Sequence, residues 1–242
     1  ALVNEVFQRY HSYVLQCRDK LKKKTFEPSK SNAQLARAIF IIGVLCKHFD
    51  FERSEFADLA FSSDDLFQLF LYFLHRSDAL VKLKSLVALG FFLQRYGHFL
   101  VDEPIRELYH ASLLDRRAAA AQLRCQVLIN LEEYFRDCIR RMAEYDVDYL
   151  RTTSSTSNEG ENLKETSDVH AEMASSIAQC YLRIVLETYL TEDEVLRQCV
   201  RKVVSCILEQ GLVHPVQFIP YLIAMTTDHD LNIQQTAEQN LQ

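Results

Sequence analysis

Apolar residues recur every three or four positions through most of the chain, in runs broken by short polar gaps. The run DDLFQLFLYFLHRSD sets Leu66, Phe67, Phe70, Leu71, Phe73 and Leu74 at helical spacing, with Asp64 and Asp65 at the positive helix start. A second helix follows a very short turn at Ser77-Asp78: LVKLKSLVALGFFLQRY, apolar at Val81, Leu86, Leu89, Phe92 and Leu93. The two read as an αα-hairpin.

The second helix of this pair has a pattern that returns. After Asp78 come an apolar residue (Val81), a base (Lys82), a small residue (Ser85) and an aliphatic (Leu89). After Asp193 the same offsets give Leu196, Arg197, Val200 and Val204. Asp228 starts a looser version with Ile233, Ala237 and Leu241. Asp115 precedes a helix with Leu123, Arg124, Val127, Leu128 and Leu131. The period of roughly 36 to 40 residues, two helices per unit, is that of HEAT repeats. One helix pair cannot bury its apolar stripe alone, so it stacks on the next. The turn aspartate caps the second helix, and the base four residues on commonly bonds the aspartate of a neighbouring unit. That ladder is incomplete here, because Ala119 and Asn232 occupy two of the basic positions.

The pattern predicts an all-α fold, a HEAT-type α-solenoid of about five antiparallel helix pairs. They fall at 2–22 with 33–49, 64–76 with 79–96, 103–114 with 119–144, 169–190 with 193–210, and 215–226 with 230–241. Residues 1–242 are expected to form a single segment of a longer array, since the chain starts at Ala1 without Met and ends mid-pattern. Arg151 to Ser167 is expected to be a polar, flexible inserted loop. Gly211 is a good helix stop, Pro215 a good first-turn residue, and Pro220 is expected to kink its helix.

Composition narrows the function. With 5 Gly and 4 Pro in 242 residues, a turn-rich sandwich or barrel is excluded. The net charge of −6 rules out a uniformly basic nucleic-acid binder but not a local basic face. Seven Cys without a CxxC pair read as reduced, buried thiols of the cytosol or nucleus. The longest uncharged run, Gln210 to Thr227, contains two glutamines, a histidine and two prolines, and makes a poor membrane span. No stretch fits a signal peptide.

No catalytic constellation is present. The sequence has no HExxH, no Cys/His cluster at zinc spacing, no GxSxG elbow and no Gly-rich phosphate loop. Cys46 and His48 are two residues apart on a helix and point apart. Cys199 and Cys206 share a helix face and read as small buried hydrophobes. Asp64-Asp65 and Glu132-Glu133 read as helix-start and surface charges. No catalytic, cofactor-binding or metal-binding residue is assigned, and the chain is expected not to be an enzyme.

Three features suit binding. Arg18 to Lys30 holds Lys20, Lys22, Lys23 and Lys24 among its bases, suited either to phosphate contacts or to a helix's negative end. Lys82, Lys84, Arg116, Arg117 and Arg124 lie near the starts of second helices; they would form a basic stripe along a solenoid edge, or serve as ladder partners and solvated surface. The Ser/Thr-rich Arg151–Ser167 stretch is either a phosphorylation segment or a spacer.

Three stretches resemble one family beyond the HEAT pattern. They are AIFIIGVLCKHFDF (Ala38 to Phe51), DV…MASSIAQCYLRIVLE (Asp168 to Glu187) and QGLVHPVQFIPYLIAMTTD (Gln210 to Asp228). In this order they are similar to signatures of the Nipped-B/NIPBL family of sister-chromatid cohesion loaders, within the C-terminal half of its HEAT region. Arg151–Ser167 and Thr25–Asn32 depart from the family freely. The resemblance implies a nuclear, chromatin-associated, non-enzymatic protein that loads cohesin onto DNA. It implies contact with the cohesin SMC heads, the kleisin and DNA, and stimulation of cohesin ATP hydrolysis. It also implies a small tetratricopeptide-type partner, bound outside this fragment. The rival expectation is a general HEAT protein-interaction scaffold, of transport or phosphatase-adaptor type, with no DNA contact.

Overall fold

The computed structural model describes the chain except for residues 1, 26–27, 53–55, 57–60, 77, 153–156 and 191–192, and describes the backbone alone over 28–30, 76, 145–152 and 157–167. The described residues form α-helices and short 3-10 turns. Contacts divide them into two compact units, Ala1–Tyr96 and Gly97–Gln242.

The first unit contains α1 (Leu2–Lys22), α2 (Pro28–His48), α3 (Ser63–Arg76) and α4 (Ala79–Arg95). α1 packs on α2 and α3 on α4, and the two pairs join mainly through α2 and α4. Small residues make that joint close. A Cβ added to Gly43 would sit 2.5 Å from the Ala88 Cα and 2.6 Å from its Cβ. Side-chain caps start both helices of the second pair, a reciprocal one at α3 and a single one at α4. At α3, the Ser62 N–H donates to Asp65 (2.9 Å) and the Asp65 N–H to the Ser62 hydroxyl (3.2 Å). At α4, Asp78 accepts from the Val81 N–H at 2.8 Å, the cap its position in the repeat predicts. Asn32 of α2 also donates to Asp78. Around the connection after α2, Phe7, Phe51 and Phe61 pack ring to ring, with centroids 4.3 Å (7 to 51) and 4.6 Å (7 to 61) apart.

The second unit contains α5 (Glu103–Leu114), α6 (Ala121–Thr152), α7 (Ser157–Tyr189), α8 (Glu194–Glu209), α9 (Ile219–Met225) and α10 (Leu231–Leu241). α5 lies against α7, while α6, α8 and α10 follow one another as a second layer. Successive second helices therefore stack on one another, as HEAT units do. Buried tyrosines tie the layers by their polar ends. Tyr181 donates to the Leu100 carbonyl (2.7 Å), and Tyr109 accepts from Asn130 (3.0 Å).

Several boundaries differ from the pattern. α2 begins at Pro28, not 33, since proline is well placed in a helix's first turn. α6 continues to Thr152 and α7 begins at Ser157, so the backbone is helical over most of the anticipated 151–167 loop. Polarity suggested a loop there, but Glu159, Glu161, Leu163, Lys164 and Glu165 are good helix formers. Residues 153–156 lie outside the described ones. Pro220 does not kink a helix: a 3-10 turn over Pro215–Gln217 precedes it, and it stands in the first turn of α9. Gly211 takes the left-handed conformation (φ 60°) of a helix stop, as expected. Asp228 does not cap α10; Asp230 does, accepting from the Asn232 N–H at 2.8 Å.

Candidate functional site

The lysines after Arg18 sit on a closed helix end. The Thr25 N–H donates to the Lys20 carbonyl (2.9 Å) and the Lys24 N–H to the Leu21 carbonyl (3.2 Å). This is a Schellman turn, and its left-handed position is held by Lys24 (φ 57°) where glycine is usual. Lys20, Lys22, Lys23 and Lys24 are all exposed. Lys22 reaches α3, its ammonium 5.8 Å from the Tyr72 ring centroid. Arg18 is engaged by its neighbour Asp19 at 3.3 Å. Four exposed ammonium groups thus crowd the end of one helix, a cluster able to neutralise phosphates or carboxylates.

The second expected set is divided between the two units. Lys82 and Lys84 are half-buried on α4 in the first unit. Arg116, Arg117 and Arg124 belong to the second. Arg116 is exposed, whereas Arg117 forms a two-pronged pair with Asp115, at 2.8 Å (Nε) and 2.6 Å (Nη2). That hydrogen-bonded guanidinium holds the Asp115 carboxyl down, to about 2, so the charge of Arg117 is already answered. Arg124 is buried, and its Nε has no hydrogen-bond partner among the described residues. A 3-10 turn over Ala118–Ala120 precedes α6. Burial leaves Arg124 poorly placed for a nucleic-acid contact.

The ladder does form inside the second unit. Arg197, the base four residues after Asp193, donates through Nε to Asp228 of the next pair (3.0 Å). The Tyr189 hydroxyl donates to the same oxygen (2.6 Å), and the Asp230 N–H to the other (3.0 Å). Burial works against the Asp228 carboxylate, but these donors outweigh it and hold its pKa below the ordinary range. Burial first, and then the Asp228 contact, raises the Tyr189 phenol. Asp193 plays the role its spacing predicts, capping α8 through the Val195 (3.0 Å) and Leu196 (3.2 Å) N–H groups.

The other candidate chemistry is structural. Cys46 is buried and His48 exposed, so they do not converge. Burial pushes the Cys199 and Cys206 thiols up, each to about 11, the opposite of an activated nucleophile. Among the described residues, no group of three His, Cys, Asp or Glu is placed to hold a metal ion. No described helix is long and apolar enough to cross a membrane.

Sequence reading missed one feature. Lys47 of α2 stands 5.3 Å from the Phe91 ring centroid, and Lys84 5.4 Å from that of Phe40. Phe91 lies off the apolar stripe of its helix, and that was the available signal.

A family model described as "Sister chromatid cohesion C-terminus" matches residues 174–242, which contain the Arg197–Asp228 rung. Similarity to curated relatives covers the whole chain: it is 36% identical over 257 residues to Nipped-B-like protein B of Danio rerio, covering 100% of this chain and 9% of that protein. The chain belongs to the Nipped-B family. Nipped-B-like protein of Homo sapiens is 33% identical over 256 residues, again 100% of this chain and 9% of the relative. Nipped-B protein of Drosophila melanogaster is 29% identical over 243 residues, 94% of this chain and 11% of the relative. The chain therefore spans about a tenth of the length of the relatives it matches. The family is one of sister chromatid cohesion.

Proposed function

We propose that this chain is a non-enzymatic HEAT segment of a nuclear cohesin loader. It engages the cohesin SMC heads and kleisin together with DNA, promotes loading on chromatin and stimulates cohesin ATP hydrolysis. The tetratricopeptide-type partner of the loader binds elsewhere in the longer protein. The observation that carries the reading is similarity to Nipped-B-like proteins along the whole chain, joined to the exposed cluster Lys20, Lys22, Lys23 and Lys24.

The lysines contact the DNA backbone and neutralise phosphates without reading sequence. Arg116 is a further candidate contact, and Lys82 and Lys84 are weaker ones because they are half-buried. Holding DNA on engaged SMC heads favours the hydrolysis-competent state, so the loader works by shifting a population. Reversing Lys22, Lys23 and Lys24 to Glu in the full loader is expected to lower DNA-dependent stimulation of the cohesin ATPase. Unchanged stimulation by a normally folded variant would remove the lysines from the function. A scaffold without DNA contact is the competing reading, favoured by the net charge of −6. It expects the ATPase response to be indifferent to these lysines.

A further inference from the structure

The 32-residue helix α6 starts without a side-chain cap. The 3-10 turn over Ala118–Ala120 leads straight into it: the Ala121 N–H donates to the Ala118 carbonyl, and Ala121 is already helical. Arg117 stands at the capping position and makes no capping bond. Neither this turn nor the first turn of α6 carries an acidic residue. The N–H groups and the positive dipole end of a long helix therefore face the α5–α6 connection without an acid of their own.

Arg124 supplies a second, independent observation. It lies in the first turn of α6 and is only 6% exposed, and its Nε is buried with no hydrogen-bond partner among the described residues. A long helical side chain leans back over the turn that precedes its own Cα. Arg124 thus aims at the connection, and its charge is felt there. The Asp115 carboxyl is held down first by its bonds to Arg117 and, after them, by the charges of Arg117 and Arg124. A buried cation is costly unless an anion meets it. The acids at hand are engaged: Asp115 is bonded by Arg117, and Asp193 caps α8. Arg116 adds an exposed cation to the same connection, and Leu114, at the end of α5, is 62% exposed beside it.

We infer that the start of α6 binds a phosphate group carried on a side chain, that of a phosphorylated serine or threonine in a partner segment. The helix-start N–H groups and the recessed Arg124 receive its oxygens, and Arg116 meets it at the rim. A phosphate near two negative charges, with three acceptor oxygens, suits two guanidinium groups and a helix end better than a single carboxylate does. Duplex DNA suits the site less. A buried guanidinium is reached by a group that projects from a chain, not by phosphates spaced along a duplex surface. Leu114 offers contact to an apolar residue flanking the phosphate, which a nucleic-acid backbone lacks. The inference stands apart from the DNA reading, which rests on Lys20, Lys22, Lys23 and Lys24.

The test is fluorescence anisotropy of the 242-residue chain with a labelled Gly-Ser peptide bearing one phosphoserine followed by leucine. It should bind at least about tenfold more tightly than the unphosphorylated peptide, and than a version with glutamate in place of the phosphoserine. Inorganic phosphate should displace it where chloride of equal ionic strength does not. Arg124→Met replaces the buried guanidinium by an apolar chain and should lose the preference while staying folded. Ala119→Asp keeps the test independent of any part Arg124 has in folding. It puts a carboxylate at the helix start, and should abolish the preference with a melting temperature no lower than that of wild type. Equal binding of the phosphorylated and unphosphorylated peptides would overturn the inference. So would a preference that survives in Ala119→Asp or in folded Arg124→Met. Displacement by a short DNA duplex more effectively than by inorganic phosphate, at matched phosphate concentration, would also overturn it and assign the site to nucleic acid.

Discussion

The two units solve the same problem, joining one helix pair to the next, by different chemistry. In Ala1–Tyr96 the joint is close backbone contact, with Gly43 of α2 against Ala88 of α4 and no room for a Cβ. In Gly97–Gln242 the joint between the last two pairs is a buried polar rung, Arg197 and Tyr189 on Asp228. The first works mainly through dispersion and area removed from water, with the Asn32–Asp78 and Arg95–Lys47 carbonyl contacts beside it. The second depends on a carboxylate that must stay ionised, and removal of one partner leaves another buried and unpaired. A HEAT repeat thus fixes the stacking geometry but leaves its glue to the local sequence.

The largest expected effect breaks the rung. Asp228→Ala should destabilise the second unit by about 3–5 kcal/mol, since Arg197 and Tyr189 lose their shared acceptor. Chemical denaturation followed by circular dichroism measures it, and a loss under about 1 kcal/mol would show that the rung is ornamental. Its pH dependence follows in sign. The Asp228 carboxyl is held below its ordinary range when folded. Its stabilisation is therefore complete above the unfolded value of about 3.9, and lost as pH falls through the folded one. The melting temperature should drop in that acid window, and Asp228→Asn should flatten the drop.

Gly43→Ala tests the other joint. The added methyl overpacks the α2/α4 contact and should cost about 1–3 kcal/mol, with no dependence on pH between 3 and 7 beyond that of wild type. Asp78→Ala should cost about 1 kcal/mol, through loss of the α4 cap and of the Asn32 contact. The smallest change has the opposite sign. Lys24→Gly relieves a left-handed lysine and should stabilise by up to about 1 kcal/mol. Thermal melts of the three variants rank them, and the reverse order would refute the comparison.

How much of this was legible depends on where the signal lies. Local signals read well. Asp78, Asp193 and Gly211 act at helix ends as their side chains and backbone preferences dictate. The rung was half legible: the base at Arg197 was readable from spacing, but the Asp228 that receives it had been read as a cap. The two aspartates of Asp228–His229–Asp230 compete for that role, and only the fold decides which faces the neighbour. Arg124 is buried in the fold, a position that charge alone does not reveal in the sequence. The Lys47–Phe91 and Lys84–Phe40 contacts escaped for a related reason. They arise between two helices, whereas periodicity reports one helix at a time.

The most direct test of the proposed function is binding of the chain to a labelled DNA duplex by anisotropy, at low and at near-physiological salt. Binding that weakens steeply with salt, and is lost in Lys22→Glu, Lys23→Glu, Lys24→Glu with an unchanged melt, is the predicted result. No binding at low salt, or equal binding by the folded variant, would contradict it and return these lysines to the role of helix-end charges.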